Sequence, residues 1–435
     1  MSERKTDKKK ERSKVKTVPV PFALGKKKEN ISIDINTPSK LSKEEIINKA
    51  NKLHLQGNIK EAAKYYQYFI NQGFKDFRVF SNFGVILKDL GKLKEAELCQ
   101  RKAIELKPDY AAAHSNLGRI YIDLLKYKEA ELSTRKAIEI KPGYAEAHSN
   151  LGGILSELGK LEEAEQSLRK AIELEPDFAN VYWNLYGLSN SIEEGEERIH
   201  KCLNIDQNNL NAKIHLSAIK LHQGDQSLFK HTIQSFDKDH ILIRSIKWVL
   251  TLPETPQLFF NKWNLYKNMV YKSNNNGAFY EYGVCQGVSF KYLIKYFKKG
   301  YGFDTFKGLP EDWNNKYKKG SFSAEGNIPE VKDGKFIVGK FEDTLPGFFS
   351  ENRPKASLIN FDADLYSSTL CALNYSKSII DKNTILIFDD FLNFDNWEQN
   401  EYKALNEFCS NNNLTYKVLA ISYLSRQVAV KLIGV

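Results

Sequence analysis

A period of 34 residues constrains the first half of the chain more than any other feature of the sequence. Small residues and prolines recur at this interval, at Ala62, Ala96, Ala130 and Ala164, at Gly84, Gly118 and Gly152, and at Pro108, Pro142 and Pro176. Such a period predicts helix pairs that cross closely at the small residues and end at the proline. A single pair cannot bury its own apolar face, so the units are expected to stack into an all-α solenoid.

The repeating positions resemble those of the tetratricopeptide repeat. Three consecutive units match well, over residues 77–110, 111–144 and 145–178, and a looser unit precedes them while a decaying one follows. We therefore expect four to five units within residues 44–190. The resemblance implies that the concave face of the solenoid binds a protein or peptide partner.

One asparagine recurs at the same place in successive units, as Asn82, Asn116, Asn150 and Asn184. A column of amides on the concave face can hydrogen-bond an extended peptide, as the asparagine ladder of O-linked N-acetylglucosamine transferase does, which these repeats resemble here. We treat the four residues as candidate partner-binding residues. The alternative is that asparagine is simply common at this position.

The basic charge of the chain is concentrated at its amino terminus. Residues 1–43 hold 13 Lys and Arg against 5 Asp and Glu, a balance of +8 out of +10 for all 435 residues. Few large apolar residues and several prolines indicate a disordered tail. No nucleic-acid motif accompanies it, so a solubilising tail is favoured over an anion-binding one.

The remaining composition indicates a cytoplasmic protein. The sequence contains no run of about 18 apolar residues, which a membrane-spanning helix would need. No signal peptide is recognisable either. The five cysteines are scattered and odd in number, which indicates free thiols. Residues 191–244 are helical by pattern but lose the period, so we interpret them as a degenerate helical cap or linker.

The second half of the chain begins with a strand, a glycine turn and a helix. An apolar run from residue 278 contains Glu281 and leads into Gly283, Gly287 and Ser289 before a helical segment. The next apolar run ends on Asp304, where a doubly wound fold places an acid against ribose. The glycine spacing differs from that of dinucleotide enzymes and favours S-adenosylmethionine (SAM) over NAD.

Three further apolar runs continue the alternation, at residues 334–341, 356–361 and 383–388. Each is expected to be a buried parallel strand with acids at its carboxyl end, where ligands bind such sheets. The last two runs, 415–421 and 427–433, are expected to form an antiparallel pair. The predicted fold is an α/β doubly wound, Rossmann-like sheet, so the chain as a whole is multidomain.

These segments resemble a class I SAM-dependent methyltransferase, and within it the macrocin O-methyltransferase (TylF-like) family, over residues 245–435. The motifs that carry the resemblance are Glu281-x-Gly283-Val284-x-x-Gly287-x-Ser289, 304–310, 339–346, 362–369 and Asp389-Asp390-Phe391. The resemblance implies SAM as cofactor, and its expected binding residues are Glu281, Gly283, Gly287, Ser289, Asp304, Phe341, Glu342 and Asp362. It also implies that Asp362, Asp389 and Asp390 are catalytic and bind Mg²⁺.

The chemistry of the acids agrees with this implication. A sugar hydroxyl is a weak nucleophile, so its methylation needs a general base or a metal that stabilises the alkoxide. Carboxylate oxygens suit Mg²⁺. Asp364 can be a further ligand or base, although its position before a Tyr-x-Ser-Thr sequence favours a helix cap.

The sequence therefore predicts a SAM-dependent, metal-assisted O-methyltransferase acting on a sugar or glycan hydroxyl, with repeats that recruit a partner or present the acceptor. Two alternatives stay open. Asp362-Ala363-Asp364 also fits the Asp-x-Asp of a metal-dependent glycosyltransferase, and the chain can be a non-catalytic scaffold whose repeats bind a partner.

Overall fold

The computed structural model describes residues 41–435 except 236, 238, 275, 315 and 316. Nearly all of the predicted basic tail lies outside the described residues. The chain divides into two compact units, Met1–Ile154 and Leu155–Val435.

The described part of the first unit is entirely helical. Its helices are α1 Lys43–Leu55, α2 Ile59–Asn71, α3 Phe77–Asp89, α4 Leu93–Leu106, α5 Ala111–Asp123, α6 Tyr127–Ile140 and α7 Ala145–Glu157, the last of which continues into the second unit. Local sequence sets the helix starts: Ser42 and Glu45 form a capping box at α1, and the Asp76 carboxylate accepts the Arg78 and Val79 N–H groups at α3.

The small repeat residues lie where paired helices cross. Ala62, Ala96 and Ala130 are fully buried. A Cβ on Gly84 would lie 2.5 Å from Gln100 Nε2 and 3.1 Å from the Ala96 carbonyl oxygen, so the close α3–α4 crossing favours glycine. The predicted solenoid of paired helices is confirmed.

Helices also open the second unit. They are α8 Leu161–Leu174, α9 Ala179–Tyr186, α10 Ile192–Ile205, α11 Leu210–His222, α12 Ser227–Ser235, α13 Ile241–Leu250 and, after a short strand, α14 Lys262–Lys272. Among the helices of the described residues, none is long and apolar enough to cross a membrane.

An eight-stranded sheet dominates the rest of the second unit. Its strands are β1 Gln257–Leu258, β2 Ala278–Tyr282, β3 Gly300–Asp304, β4 Gly334–Val338, β5 Ala356–Phe361, β6 Ile385–Phe388, β7 Thr415–Ile421 and β8 Val428–Ile433. The helices between them are α15 Val288–Leu293, α16 Phe341–Phe349, α17 Tyr366–Ser376 and α18 Glu401–Asn411, with 3₁₀ turns at Ile294–Tyr296 and Trp397–Gln399.

The strand order is β1-β7-β8-β6-β5-β2-β3-β4. Strands β2 to β6 pair in parallel, whereas β8 is antiparallel to both β6 and β7. The predicted doubly wound sheet with an antiparallel final pair is therefore confirmed. Strand β1, which pairs with β7, was not predicted.

Burial of the strands follows their place in the sheet. Every residue of β2, β5 and β6 is buried, because helices cover both faces of a parallel sheet. Strand β4 instead lies at the edge, and none of its residues is fully buried. The prediction that each apolar run forms a buried strand is wrong for this edge strand.

The aromatic segment before the glycine turn packs against the sheet. Trp263 and Tyr266 of α14 are buried in one cluster with Phe279 and Leu358 of the central strands. The Trp263 indole N–H donates to the Ser156 carbonyl oxygen at 2.6 Å. Helix α14 thus contacts the end of α7 at its first turn and the sheet along its length.

Candidate active site

The glycine loop that follows β2 adopts left-handed backbone angles. Gly283 has φ of 92°, Cys285 49° and Gly287 73°, and such angles suit glycine. A Cβ on Gly283 would overlap the carbonyl oxygen of Asp362, and one on Gly287 would lie 2.8 Å from Pro329 Cγ. The loop therefore lies directly against the backbone that follows β5.

The Asp304 carboxylate holds this loop in place. Its Oδ2 accepts the N–H groups of Val284 at 2.8 Å and Cys285 at 2.7 Å, and its Oδ1 accepts that of Phe306 at 2.7 Å. Hydrogen bonds from backbone N–H groups to an ionised carboxylate are strong. Asp304 therefore has a structural role in the loop in addition to the predicted ribose contact.

Glu281, the penultimate residue of β2, is completely buried. The Asn360 amide donates to its Oε1 at 2.8 Å. Burial raises the pKa of Glu281 to about 8, against the opposing hydrogen bonds of Ser289 and Asn360. Glu281 and Ser289, both predicted from the glycine motif, are thus brought together.

Four aspartates meet at the carboxyl ends of β5 and β6. Phe361 of β5 is in register with Phe388 of β6, so Asp362 and Asp389 follow side by side. Burial, reinforced by the neighbouring acids, raises the pKa values of Asp362, Asp364 and Asp389. The site therefore concentrates negative charge that protein groups only partly offset.

The carboxylate of Asp389 is fixed by two buried side chains. The Tyr266 hydroxyl donates to Oδ1 at 3.1 Å, and the Gln427 amide donates to the same oxygen. Tyr266 and Gln427 are 0% and 1% exposed. Neither residue was assigned to the site from the sequence, because they lie 123 and 38 residues away from Asp389 and no local pattern links them to it.

Asp390 is held by a different pair of groups. Its Oδ1 accepts the Arg426 guanidinium at 3.1 Å, and its backbone N–H donates to Oε2 of Glu401 at 3.1 Å. Glu401 is fully buried, and burial beside Asp390 and Asp389 raises its pKa. Neither Arg426 nor Glu401 was assigned to the site from the sequence.

The helix-cap interpretation of Asp364 is wrong. Helix α17 starts at Tyr366 after Leu365, and no side chain caps it. Asp364 has φ of 58°, and burial, followed by the charge of Asp390 and a hydrogen bond with it, raises the pKa of Asp364. The left-handed backbone turns this carboxyl into the acid cluster.

The remaining predicted cofactor residues lie at the start of α16. Phe341 packs edge-on against Tyr282, with ring centroids 5.5 Å apart. Glu342 is exposed, and its Oε1 accepts the Lys340 ammonium at 3.1 Å. These two residues follow β4, which is separated from β5 by β3 and β2.

The predicted metal ligands do not form a ready coordination group. Over the residues that the structure describes, no cluster of three or more His, Cys, Asp or Glu side chains is arranged to hold a metal ion. The Asp389 and Asp390 carboxylates instead accept hydrogen bonds from protein side chains.

The asparagine column of the repeats makes contacts within the solenoid. The Asn116 amide donates to the Ser81 hydroxyl at 3.2 Å, and the Asn150 amide to the Ser115 hydroxyl at 3.0 Å. Asn82 and Asn116 are both 5% exposed. These bonds join consecutive repeats; Asn184 lies in α9, in the second unit.

Sequence models of known families match both parts of the chain. Tetratricopeptide-repeat models match residues 84–124, 111–144 and 145–178, and the macrocin-O-methyltransferase (TylF) model matches residues 267–426. No curated protein matches the chain significantly.

Several solved structures are similar to the chain. TTC0263, a tetratricopeptide-repeat protein of Thermus thermophilus, is 18% identical over 41% of this chain and 100% of its own, with a TM-score of 0.38. YrrB, described as a repeat protein with an unusual peptide-binding site, is 20% identical over 40% and 92%, with a TM-score of 0.32. A repeat protein of Parabacteroides merdae is 16% identical over 48% and 86%, with a TM-score of 0.39.

The family models agree with the order of elements described above, with helix pairs first and a doubly wound sheet afterwards. The chain therefore joins tetratricopeptide repeats to a domain similar to the macrocin O-methyltransferases.

Proposed function

We propose that the chain is a SAM-dependent O-methyltransferase that acts on a sugar or glycan hydroxyl, with repeats that recruit a protein partner or present the acceptor. The observation that carries the proposal is the close approach of Gly283 to the Asp362 carbonyl oxygen. It joins a glycine loop suited to a cofactor with an acid cluster suited to activating a hydroxyl.

The residues around the glycine loop would hold SAM, whose sulfonium supplies the electrophilic methyl group. The set is Glu281, Gly283, Gly287, Ser289, Asp304, Phe341, Glu342 and Asp362. The fit is supported by the backbone at Gly287, where α15 begins without a side-chain cap and leaves N–H groups for a ligand. Asp304 holds the loop through the hydrogen bonds that it accepts from the Val284 and Cys285 N–H groups.

The acid cluster suits a divalent cation such as Mg²⁺ in the chemistry of its donors. Asp362, Asp389 and Asp390 supply only oxygen ligands, which Mg²⁺ prefers. Burial, and then the neighbouring acids, raise the pKa values of Asp362 and Asp389, although Lys262 opposes the shift; a bound cation would favour the ionised carboxylates. When bound, the cation would lower the pKa of an acceptor hydroxyl.

Asp364 is our candidate for the group that receives the hydroxyl proton. Its carboxyl is oriented by Asp390, and burial beside that residue raises its pKa, so the ionised form of Asp364 would be a stronger base than an ordinary aspartate. Asp362 and Asp389 flank the same edge and would orient the acceptor. Tyr266 and Gln427 hold the Asp389 carboxylate in place, and Arg426 holds that of Asp390.

We further propose that residues 44–190 form the partner-binding repeats, with Asn82, Asn116, Asn150 and Asn184 facing the partner, that 191–244 are a helical cap, and that 245–435 are the catalytic domain. The cytoplasmic location stays a prediction.

Calorimetric titration of the full chain with SAM and with a UDP-sugar, each with and without Mg²⁺, tests the function. We expect micromolar SAM binding that is lost in Asp304→Ala and kept in Asp177→Ala, which removes an exposed aspartate between α8 and α9. UDP-sugar binding without SAM binding would favour the glycosyltransferase, and binding of neither would favour the scaffold.

A further inference from the structure

The segments that follow β3 and β6 meet through aromatic side chains. Trp313, after β3, packs edge-on against Phe394, after β6, with ring centroids 5.5 Å apart. The strand order places β2 and β5 between β3 and β6. The contact therefore bridges the carboxyl ends of β2 and β5, which are followed by the glycine loop and by Asp362.

Two further rings extend this contact on the side of β3. Tyr317 stacks on Trp313 with ring centroids 5.5 Å apart, and Phe322 packs against Tyr317 at 4.8 Å. Trp313, Tyr317, Phe322 and Phe394 together form the aromatic patch. Phe394 is 9% exposed, whereas the other three residues are half-buried, so the patch is partly accessible to a ligand.

The loop that carries three of these rings is closed by its own backbone. The Leu309 and Ser321 backbones are joined by an N–H···O bond of 2.9 Å, and the Gly326 N–H donates to the Phe306 carbonyl oxygen at 2.8 Å. The aromatic side chains are therefore not needed to close the loop. Aromatic side chains beside a few convergent polar groups are typical of a ligand-binding pocket.

The aromatic patch contacts both parts of the candidate active site. The Phe322 carbonyl oxygen accepts the Cys285 thiol of the glycine loop at 3.3 Å. On the other side, the Arg426 guanidinium donates to Asp390 and lies 5.8 Å from the centroid of the Phe394 ring. A ligand bound to the patch would therefore lie beside both the glycine loop and the acid cluster.

Aromatic rings next to acids match the two kinds of surface that a pyranose has. The C–H bonds on one face of the sugar ring are apolar and pack against aromatic rings, while the hydroxyl groups on its rim donate hydrogen bonds to carboxylates. An open-chain polyol has the hydroxyl groups but lacks the continuous apolar face. The patch therefore favours a cyclic sugar over a flexible polyol.

We propose that the aromatic patch binds the C–H face of the acceptor's pyranose ring and directs one ring hydroxyl towards the acid cluster. The proposal rests on the proposed function, since it assumes a sugar acceptor. It adds Trp313 and Tyr317 as residues that determine acceptor specificity, and it requires that the acceptor hydroxyl belong to a ring.

Saturation-transfer difference NMR identifies the ligand protons that touch a protein and needs no methyl transfer. The full chain, with and without S-adenosylhomocysteine, would be mixed in turn with methyl β-D-galactopyranoside, methyl β-D-glucopyranoside and methyl α-L-rhamnopyranoside, and with glycerol as the open-chain control. The variants are Trp313→Ala, Tyr317→Ala and Trp313→Phe. Tyr271→Ala is the matched control, because Tyr271 is an aromatic residue on α14 that is 70% exposed.

We expect at least one glycoside to receive saturation mainly on the C–H protons of one ring face, and glycerol to receive none. Trp313→Ala and Tyr317→Ala should each weaken binding of that glycoside about 3- to 10-fold. Trp313→Phe should retain most of the affinity, because it keeps a ring although it loses the indole donor to Asn400. Tyr271→Ala should change nothing.

Three results would overturn the proposal: no glycoside bound by wild type, saturation spread evenly over all the sugar protons, or unchanged affinity in both alanine variants. Thermal unfolding separates a purely structural role, since a variant that melts earlier yet binds the glycoside as tightly as wild type counts against the proposal. If one alanine variant does not fold, the other decides the outcome alone.

Failure of this proposal differs from failure of the proposed function. SAM binding by wild type and Trp313→Ala alike, with no glycoside bound, overturns the aromatic patch as an acceptor site and leaves the methyltransferase standing. Absence of SAM binding in the calorimetric titration counts against the function, whichever NMR result accompanies it.

Discussion

Gly283 and Asp362 touch through their backbones: any Cβ at position 283 would overlap the Asp362 carbonyl oxygen. The Asp362 N–H also donates to the carbonyl of Tyr282 at 2.8 Å. The loop after β2 and the loop after β5 are therefore one packed structure. A change in either loop must alter the other, which couples the proposed cofactor site to the acid cluster.

Gly283→Ala is expected to destabilise the second unit severely, because the new methyl group meets backbone and the φ of 92° is strained for alanine. Gly347→Ala is the control, since a Cβ there meets nothing within 4 Å inside helix α16. Alanine in a helix is favoured over glycine by roughly 0.5–1 kcal/mol. Urea unfolding should separate the two variants, and equal midpoints would contradict the close contact.

Glu281 should make the chain less stable as the pH rises. Burial raises its pKa from 4.5 to about 8, so the folded state keeps a proton that the unfolded chain releases between these values. The contribution of Glu281 to the free energy of unfolding is complete below its pKa in the unfolded chain. It falls as the pH approaches its pKa in the folded state, by up to about 5 kcal/mol.

Glu281→Gln removes this titration and keeps an acceptor for Asn360. The melting temperature of wild type, relative to the variant, should therefore drop between about pH 5 and pH 8.5. Parallel curves for the two proteins would show that Glu281 is ionised in the folded state.

Trp263→Phe is expected to destabilise the chain more than the loss of the neighbouring Lys262–Glu157 ion pair. Trp263→Phe removes the indole donor to the half-buried Ser156 carbonyl oxygen, which still accepts the Gly159 N–H at 3.0 Å, so the loss is that of one hydrogen bond, roughly 0.5–1.5 kcal/mol, in addition to the smaller buried ring. Glu157→Gln only breaks the partly exposed Lys262–Glu157 pair at 3.3 Å, worth less than about 1 kcal/mol. Chemical unfolding of both variants tests the ranking, and an equal or larger effect of Glu157→Gln would reverse it.

The asparagine contacts of the repeats can be tested as a pair. Ser81→Ala and Asn116→Ala together remove a buried hydrogen bond of 3.2 Å, and partners in contact usually show coupling energies of about 0.5–3 kcal/mol. A double-mutant cycle on thermal unfolding should find coupling in this range. Coupling near zero would mean that the amide does not stabilise the stacking of repeats.

The elements that could be predicted from the sequence are those with a local pattern. The small residues at 34-residue spacing predict close helix crossings, and Ala62, Ala96 and Ala130 are buried there. Strand β1 had no such pattern, because it has two residues and exists through pairing of Gln257 with Ala420. A strand defined by its partner cannot be recognised in its own sequence.

The same distinction applies to the candidate site. Asp362, Asp389 and Asp390 could be predicted because acids directly follow apolar strands. Asp364 was misassigned because spacing suggested a cap, whereas its φ of 58° turns the carboxyl towards Asp390. The donors to Asp389 could not be found, since a contact across 123 residues leaves no local signal.

The serine–asparagine bonds of the repeats bear on how such an array can grow. Each bond spans 35 residues, from Ser81 to Asn116 and from Ser115 to Asn150. A unit therefore carries the amide that reaches its predecessor and the hydroxyl that receives its successor. A duplicated unit inserted by recombination would arrive with both halves of the link, so the copy number can change without any new contact having to evolve.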